Sequence, residues 1–240
     1  MASKSSPQLS IIIPVYNEED NVSTLCQETL QALPSPTYKI ELVFVDDGST
    51  DQTVTRLHDL SQQHANVRMI RHAKNYCQSA ALITGCLNAQ SDLLVTIDGD
   101  VQNDPADIPR MLQALPNLDT VVLGQSAKRH DSFLRKISSR IANGVRQSLL
   151  KDDCLDTGCS LKLFSRQAFL ELPRFNHMHR FLPALFKRAG FNLIIMSVNH
   201  RPRLHGVSKY GVMNRLFVGI YDLFGVSWLL KRRCLPEIQA

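Results

Sequence analysis

The sequence holds no C-x-x-C pair, no G-x-G-x-x-G, no G-x-x-x-x-G-K-[ST], no H-E-x-x-H and no G-x-S-x-G. The missing motifs disfavour nicotinamide dehydrogenases, P-loop NTPases, zincins and α/β-hydrolases. Charge is sparse as well: only 20% of the 240 residues are Asp, Glu, Lys or Arg, against 44% hydrophobic residues. A disordered chain has the opposite balance, so a folded core is expected. Six Cys scattered through a chain of this length read as reduced, packed thiols of a cytoplasmic protein, not a disulfide scaffold. No apolar run approaches the roughly 20 residues of a membrane span, and the nearest, Leu216 to Leu230, carries Asp222. The N-terminus lacks the apolar core and cleavage site of a secretory signal.

What is present is an alternation. Three apolar runs, Leu9 to Pro14, Ile40 to Val45 and Leu93 to Ile97, each end in a polar cluster. Near-continuous apolar runs of this kind predict parallel strands buried on both faces. Helical patterns lie between them over Val22 to Leu33, Thr53 to Gln63 and Ser79 to Asn88, giving an α/β class with a mostly parallel sheet. Ser49 with Gln52 suggests a capping box, and Asp104 followed by Pro105 suggests an N-cap and N1 proline. Further on, a strand is expected near Ser160 to Phe164 and a helix near Arg166 to Leu172. A basic amphipathic helix is expected over Ser132 to Lys151.

In parallel sheets, ligands bind beyond the carboxyl ends of the strands, which is where all three acidic clusters fall. If the chain stays extended past Ile97, Asp98, Asp100 and Gln102 project to one side. Two carboxylates and an amide carbonyl are hard oxygen donors suited to Mg²⁺ or Mn²⁺ shared with substrate phosphates. An acidic turn leading into a helix is the competing explanation, and it suffices for Asp104. A tight turn likewise accounts for Gly48 and Ser49 but leaves the carboxylates of Asp46 and Asp47 available for base or ribose contacts. A net charge of +5 favours an anionic partner; nucleic acid is disfavoured, because neither interleaved aromatics nor a recognisable module is present.

The segments Ile11-Ile-Ile-Pro14-Val-Tyr16-Asn17-Glu18-Glu19, Val45-Asp46-Asp47-Gly48-Ser49 and Asp98-Gly99-Asp100-Val101-Gln102 resemble family 2 glycosyltransferases. Within that family, Asn75 to Ala81, Asp156 to Lys162 and Arg203 to Tyr210 resemble the polyprenyl-phosphate branch. That branch includes dolichol-phosphate mannosyltransferases and undecaprenyl-phosphate glycosyltransferases. The resemblance implies a Rossmann-like GT-A fold over residues 9–211, after a flexible N-terminus at 1–8 and before an interfacial helix and tail at 212–240. It implies inverting, metal-dependent transfer from a GDP- or UDP-linked sugar to polyprenyl phosphate. Pro14, Tyr16, Glu18, Asp46 and Asp47 are then nucleotide contacts, and Asp98 and Gly99 donor contacts. Asp100 and Gln102 are metal ligands, Arg203 and Lys209 a basic loop over the diphosphate, and Arg135 and Ser139 the acceptor-phosphate site.

Two positions depart from the family pattern. Cys77 stands where the family often has Gly. Ser126 stands where an Arg is common, leaving Lys128 or Arg129 to supply the charge. A non-lipid glycan acceptor and a non-catalytic nucleotide-sugar-binding subunit are the alternatives. The expected setting is peripheral, on the cytoplasmic face of a membrane, through the aromatic and basic segment from Leu216 to Arg233 and with a membrane-embedded partner or a second copy as further candidates. Core or dimer packing is the competing role for that segment.

Overall fold

The computed structural model describes residues 8–126, 150, 158–202 and 212–232. Seven strands form one sheet: β1 (Leu9–Val15), β2 (Ile40–Asp46), β3 (Val67–Arg71), β4 (Leu93–Thr96), β5 (Thr120–Ser126), β6 (Lys162–Ser165) and β7 (Asn192–Val198). Their spatial order is β3-β2-β1-β4-β6-β5-β7. All neighbouring pairs are parallel except the two made by β6, which runs antiparallel between β4 and β5. That reversal brings the start of β6 to the edge where β1, β2 and β4 end.

The helices are α1 (Val22–Ala32), α2 (Thr53–Gln63), α3 (Gln78–Asn88), α4 (Ile108–Ala114), α5 (Arg166–Leu170), α6 (Leu182–Ala189) and α7 (Val212–Lys231). Strand periodicity divides the core in two. Ile11, Ile13, Val15, Leu42 and Phe44 face Val22, Leu25, Cys26 and Leu57 of α1 and α2. Ile12, Val43 and Val45 face the other way, toward Ala81, Leu82 and Cys86 of α3 and the aromatic group Phe164, Phe169 and Phe186. Burial raises the Cys26 thiol to about 11 and the Cys86 thiol further, as expected of inert packed cysteines.

The expected strands and helices of the first half match to within two residues at their ends. Strands β3, β5 and β7 and helix α6 had no clear sequence signal. β7 is half exposed along its length, and β3 is a five-residue edge strand. The capping box at Ser49 does not form. Ser49 Oγ instead accepts the Asn17 N–H at 2.8 Å, and the Thr53 N–H goes to Asp51 Oδ1. Asp104 does cap, accepting the Ala106 N–H ahead of Pro105.

Helix α7 shows two faces. Val226 and Ser227 are buried, and Leu223, Leu229 and Leu230 pack on the second core cluster. Asp222 is held by His177 Nδ1 at 2.9 Å. Tyr221, Phe224 and Trp228, spaced for one side of a helix, are 82%, 65% and 61% exposed. One face of the segment thus packs on the core, and the other carries exposed aromatics. No helix among the described residues is long and apolar enough to cross a membrane.

Candidate active site

The carboxyl edge of the sheet carries two loops laced together. Asn17, at a φ of 52°, receives the Thr50 N–H on Oδ1, while its own N–H reaches Ser49. The Glu18 N–H goes to Thr53 Oγ1, Glu19 takes the Gln52 N–H, and Asn21 donates to Glu18 Oε2 at 2.6 Å. These bonds satisfy loop amides and helix-start donors that have no partner in their own element. Tyr16, Glu18 and Pro14 are thereby fixed beside Asp46 and Asp47. Asn17 was missed as the organiser of this corner; its tolerance of positive φ was the available signal.

Asp46 is fully buried and accepts the Ser49 N–H, with Arg71 Nε at 3.5 Å. It builds the turn. Asp47 is also buried and receives Tyr76 N–H at 2.9 Å and His72 Nδ1 at 2.8 Å, both on Oδ1. Gly48, at a φ of 77°, lies so close to Lys74 that a Cβ would fall 2.5 Å from its carbonyl carbon. No larger residue fits there.

After β4 the chain turns instead of continuing extended. Val101 has a φ of 60°, and the Gln102 N–H folds back onto Asp100 Oδ1 at 3.2 Å. The period-two argument for placing Asp98, Asp100 and Gln102 on one side therefore fails. A tight turn instead brings the Asp98 and Asp100 carboxylates near enough for their charges to interact and sets the Gln102 backbone N–H on Asp100. Gly99 is explained by packing: a Cβ there would meet Val15 Cγ1 at 2.6 Å. Asp98 receives Gln78 Nε2 at 2.6 Å. Burial, then the neighbouring Asp100 charge, raises the Asp98 carboxyl to about 7, against the opposing pull of Lys162.

Two carboxylates crowded at a desolvated edge favour a cation. Among the described residues no three His, Cys, Asp or Glu side chains form a metal cluster. That sparse donor set, Asp100 with Gln102 two residues on, suits Mg²⁺ or Mn²⁺, which take one or two carboxylates and complete their shell with phosphate and water.

Two further groups converge here. The segment opening β6 is stitched under the turn: Ser160 Oγ accepts the Asp98 N–H and Asn103 Nδ2, and Thr96 Oγ1 donates to the Ser160 carbonyl. Cys159 is a packed thiol, donating to Asn103 Oδ1. Arg201, beyond β7, bonds the Gln102 carbonyl through its N–H and bridges Glu28 and Asp104 at 2.7 and 2.8 Å. It ties the residues just before Arg203 to the Asp100–Gln102 turn. Arg129, Arg135, Ser139, Arg203 and Lys209 lie outside the described residues, as does nearly all of the expected 132–151 helix.

Cys77 adopts φ 76° and ψ 158°, a backbone region suited to glycine. The chain thus keeps a glycine-type turn without the glycine. His179 packs against α3 with Nδ1 2.8 Å from Ser79 Oγ. Desolvation, with positive charge from Lys162, Arg180 and His177, lowers it to about 3, so the ring is neutral.

The model of glycosyl transferase family 2 matches residues 10–172. A dodecaprenyl-phosphate galacturonate synthase of Rhizobium johnstonii is 36% identical, over 96% of this chain and 70% of its own. An undecaprenyl-phosphate 4-deoxy-4-formamido-L-arabinose transferase of Edwardsiella ictaluri is 34% identical, over 90% of this chain and 66% of its own. The chain thus spans about two thirds of the length of these relatives. Among solved structures, glucosyl-3-phosphoglycerate synthase of Mycobacterium tuberculosis with Mg²⁺ and UDP superposes with a TM-score of 0.70 at 18% identity, covering 98% and 82% of the two chains. The same enzyme with Mn²⁺, UDP and product also gives 0.70. At that identity the likeness establishes the GT-A fold. Sheet order, acidic edge and family match together make this chain a member of glycosyltransferase family 2.

Proposed function

We propose that the protein transfers a sugar from a nucleoside diphosphate to a polyprenyl phosphate, with inversion and with a divalent metal. The observation that carries the reading is the edge at which Asp47, Asp98, Asp100 and Gln102 converge beyond parallel strands, in a chain whose curated relatives bear polyprenyl-phosphate transferase names.

In this reading Pro14, Tyr16, Glu18, Asp46 and Asp47 form the base and ribose cradle. Asp46 shapes it, and Asp47 offers Oδ2, since its protein contacts fall on Oδ1. Asp98 and Gly99 line the donor. Asp100 and Gln102 hold Mg²⁺ or Mn²⁺, which when bound neutralises charge on the departing diphosphate. Arg203 and Lys209, with Arg129, add positive charge on the same leaving group. Arg135 and Ser139 hold the acceptor phosphate. That phosphate, with a second pKa of about 6, is already largely an anion at neutral pH, so no strong general base is required.

The same reading covers location. The lipid acceptor brings the enzyme to a bilayer surface. The exposed Tyr221, Phe224 and Trp228 of α7, followed by Lys231 and Arg232, have the aromatic and basic chemistry of an interfacial contact. Residues 9–211 act as the catalytic unit and 212–240 as the membrane-facing one.

The test is product analysis by mass spectrometry after incubation with UDP- and GDP-sugars, a polyprenyl phosphate and Mn²⁺. A glycosyl phosphopolyprenol whose formation stops with chelator is expected. Nucleotide-sugar binding without lipid product would refute it in favour of a different acceptor or a binding subunit.

A further inference from the structure

Behind Asp47 stands a side chain with no part in the cradle described above. In the β2–β3 register Asp46 lies opposite Arg71, so His72 falls level with Asp47. One more ladder bond holds it there, the His72 N–H donating to the Asp46 carbonyl at 2.8 Å. The ring then bridges to α3. Its Nδ1 lies 2.8 Å from Asp47 Oδ1 and its Nε2 lies 2.9 Å from Thr84 Oγ1. The Tyr76 ring stands edge-on to it at 5.7 Å. Ala73 to Tyr76 are exposed, yet the His72 side chain is only 13% exposed.

The two adjacent carboxylates of this corner are used differently. Asp46 has both oxygens engaged by the protein: the Ser49 N–H reaches Oδ1 and Oδ2, and Arg71 lies beside Oδ2. Asp47 takes both of its donors, His72 and the Tyr76 N–H, on Oδ1, and no donor among the described residues reaches Oδ2. A carboxylate accepts and does not donate, so Nδ1 carries the hydrogen in its contact with Asp47. The Thr84 hydroxyl can either donate to Nε2 or accept from it, so it braces the ring whichever charge the ring carries. The last torsion of an aspartate is soft and two-fold. Two donors on one oxygen resist that rotation and so aim the other. One of the two, the Tyr76 amide, belongs to the exposed loop; His72 is the one braced against a helix. We propose that His72 is a positioning residue for nucleotide binding, holding Asp47 so that Oδ2 faces the base and ribose. The inference rests on the reading of Asp47 as a nucleotide contact.

Two substitutions divide the ring into its halves. His72→Asn keeps a donor at the place of Nδ1 and loses the reach to Thr84. His72→Gln keeps a polar atom near the place of Nε2 and loses the donor to Asp47. Calorimetry with UDP, GDP, UMP and GMP, with and without Mn²⁺, would compare these with wild type, His72→Ala, Asp47→Ala and the double variant. A hydrogen bond to a charged group sets the scale, so His72→Ala and His72→Gln should lose about tenfold in affinity. His72→Asn should recover most of it. The loss should be the same for mono- and diphosphate and independent of Mn²⁺, because Asp47 acts on the nucleoside. In the double variant the loss should not exceed that of Asp47→Ala alone. Urea midpoints identify the folded variants, and if His72→Ala does not fold, the Asn and Gln variants decide. Equal affinities of those two, or losses that add in the double variant, overturn the proposal. A loss in Asp47→Ala with none in folded His72→Ala sinks His72 alone. Wild-type affinity in Asp47→Ala, or a wild-type protein that binds none of the four nucleotides, sinks the Asp47 reading and this inference together.

Discussion

Replacing Cys77 by Gly should stabilise the protein. The residue sits at φ 76° and ψ 158°, where an L side chain crowds its own backbone. Such strain amounts to about 1–3 kcal/mol, whereas glycine's extra flexibility in the unfolded chain costs about 0.5–1 kcal/mol. Little else changes on removing the side chain. The described contacts of Cys77 run through its backbone: its N–H goes to Asn75 Oδ1, and its carbonyl accepts from Ala80 and Ala81 at the start of α3. A net gain of about 1 kcal/mol follows. Urea unfolding monitored by circular dichroism should show a higher midpoint at unchanged m-value. Cys77→Ala keeps the Cβ and the strain and should match wild type within about 0.5 kcal/mol. If both variants behave alike, the strain is not stored at this turn and the reasoning fails.

Gly48→Ala should act in the opposite direction, costing at least about 2 kcal/mol in the same assay, because its Cβ has nowhere to go beside Lys74. Asp100→Asn should abolish most transfer while the unfolding midpoint stays near wild type; full activity of this variant in chelator-treated buffer would remove the metal assignment. The Asp98 carboxyl, raised to about 7 in the folded protein, contributes stability that is fully present below its unfolded pKa and is lost as pH rises through 7. In metal-free protein this favours folding at pH 5 over pH 8 by about 2 kcal/mol after allowance for partial exposure, and Asp98→Asn should flatten that difference in paired urea titrations. Phe224→Ser with Trp228→Ser should reduce retention on anionic vesicles about tenfold or more without lowering the unfolding midpoint, since both side chains are largely exposed. Unchanged flotation would assign the stripe to a protein partner or a second copy.

The elements legible in the sequence are those whose cause is local. β1, β2 and β4 are apolar along most of both faces because helices cover both, and the polar Ser10 and Glu41 sit near the strand starts and bond to each other. α2 matched at both ends because its amphipathic spacing is uninterrupted. β7 alternates exposed and half-buried residues, and nothing in its own seven residues says that β5 will pair with it in parallel. The acidic residues could be placed at the sheet edge because strand ends are themselves a local feature. Their arrangement could not, since the turn at Val101 depends on Ser160 and Arg201 gripping it from 62 and 99 positions further along the chain.

The same reasoning explains why the burial of Lys162 was not legible. Read in sequence, a lysine opening a strand is unremarkable. Its burial comes from β6 entering the sheet in reverse between β4 and β5, which delivers its first residue to the edge where the other strands finish. An antiparallel insertion of this kind lets a residue of the second half of the chain reach an acidic edge built by the first, and there the Lys162 charge opposes the rise of the Asp98 carboxyl.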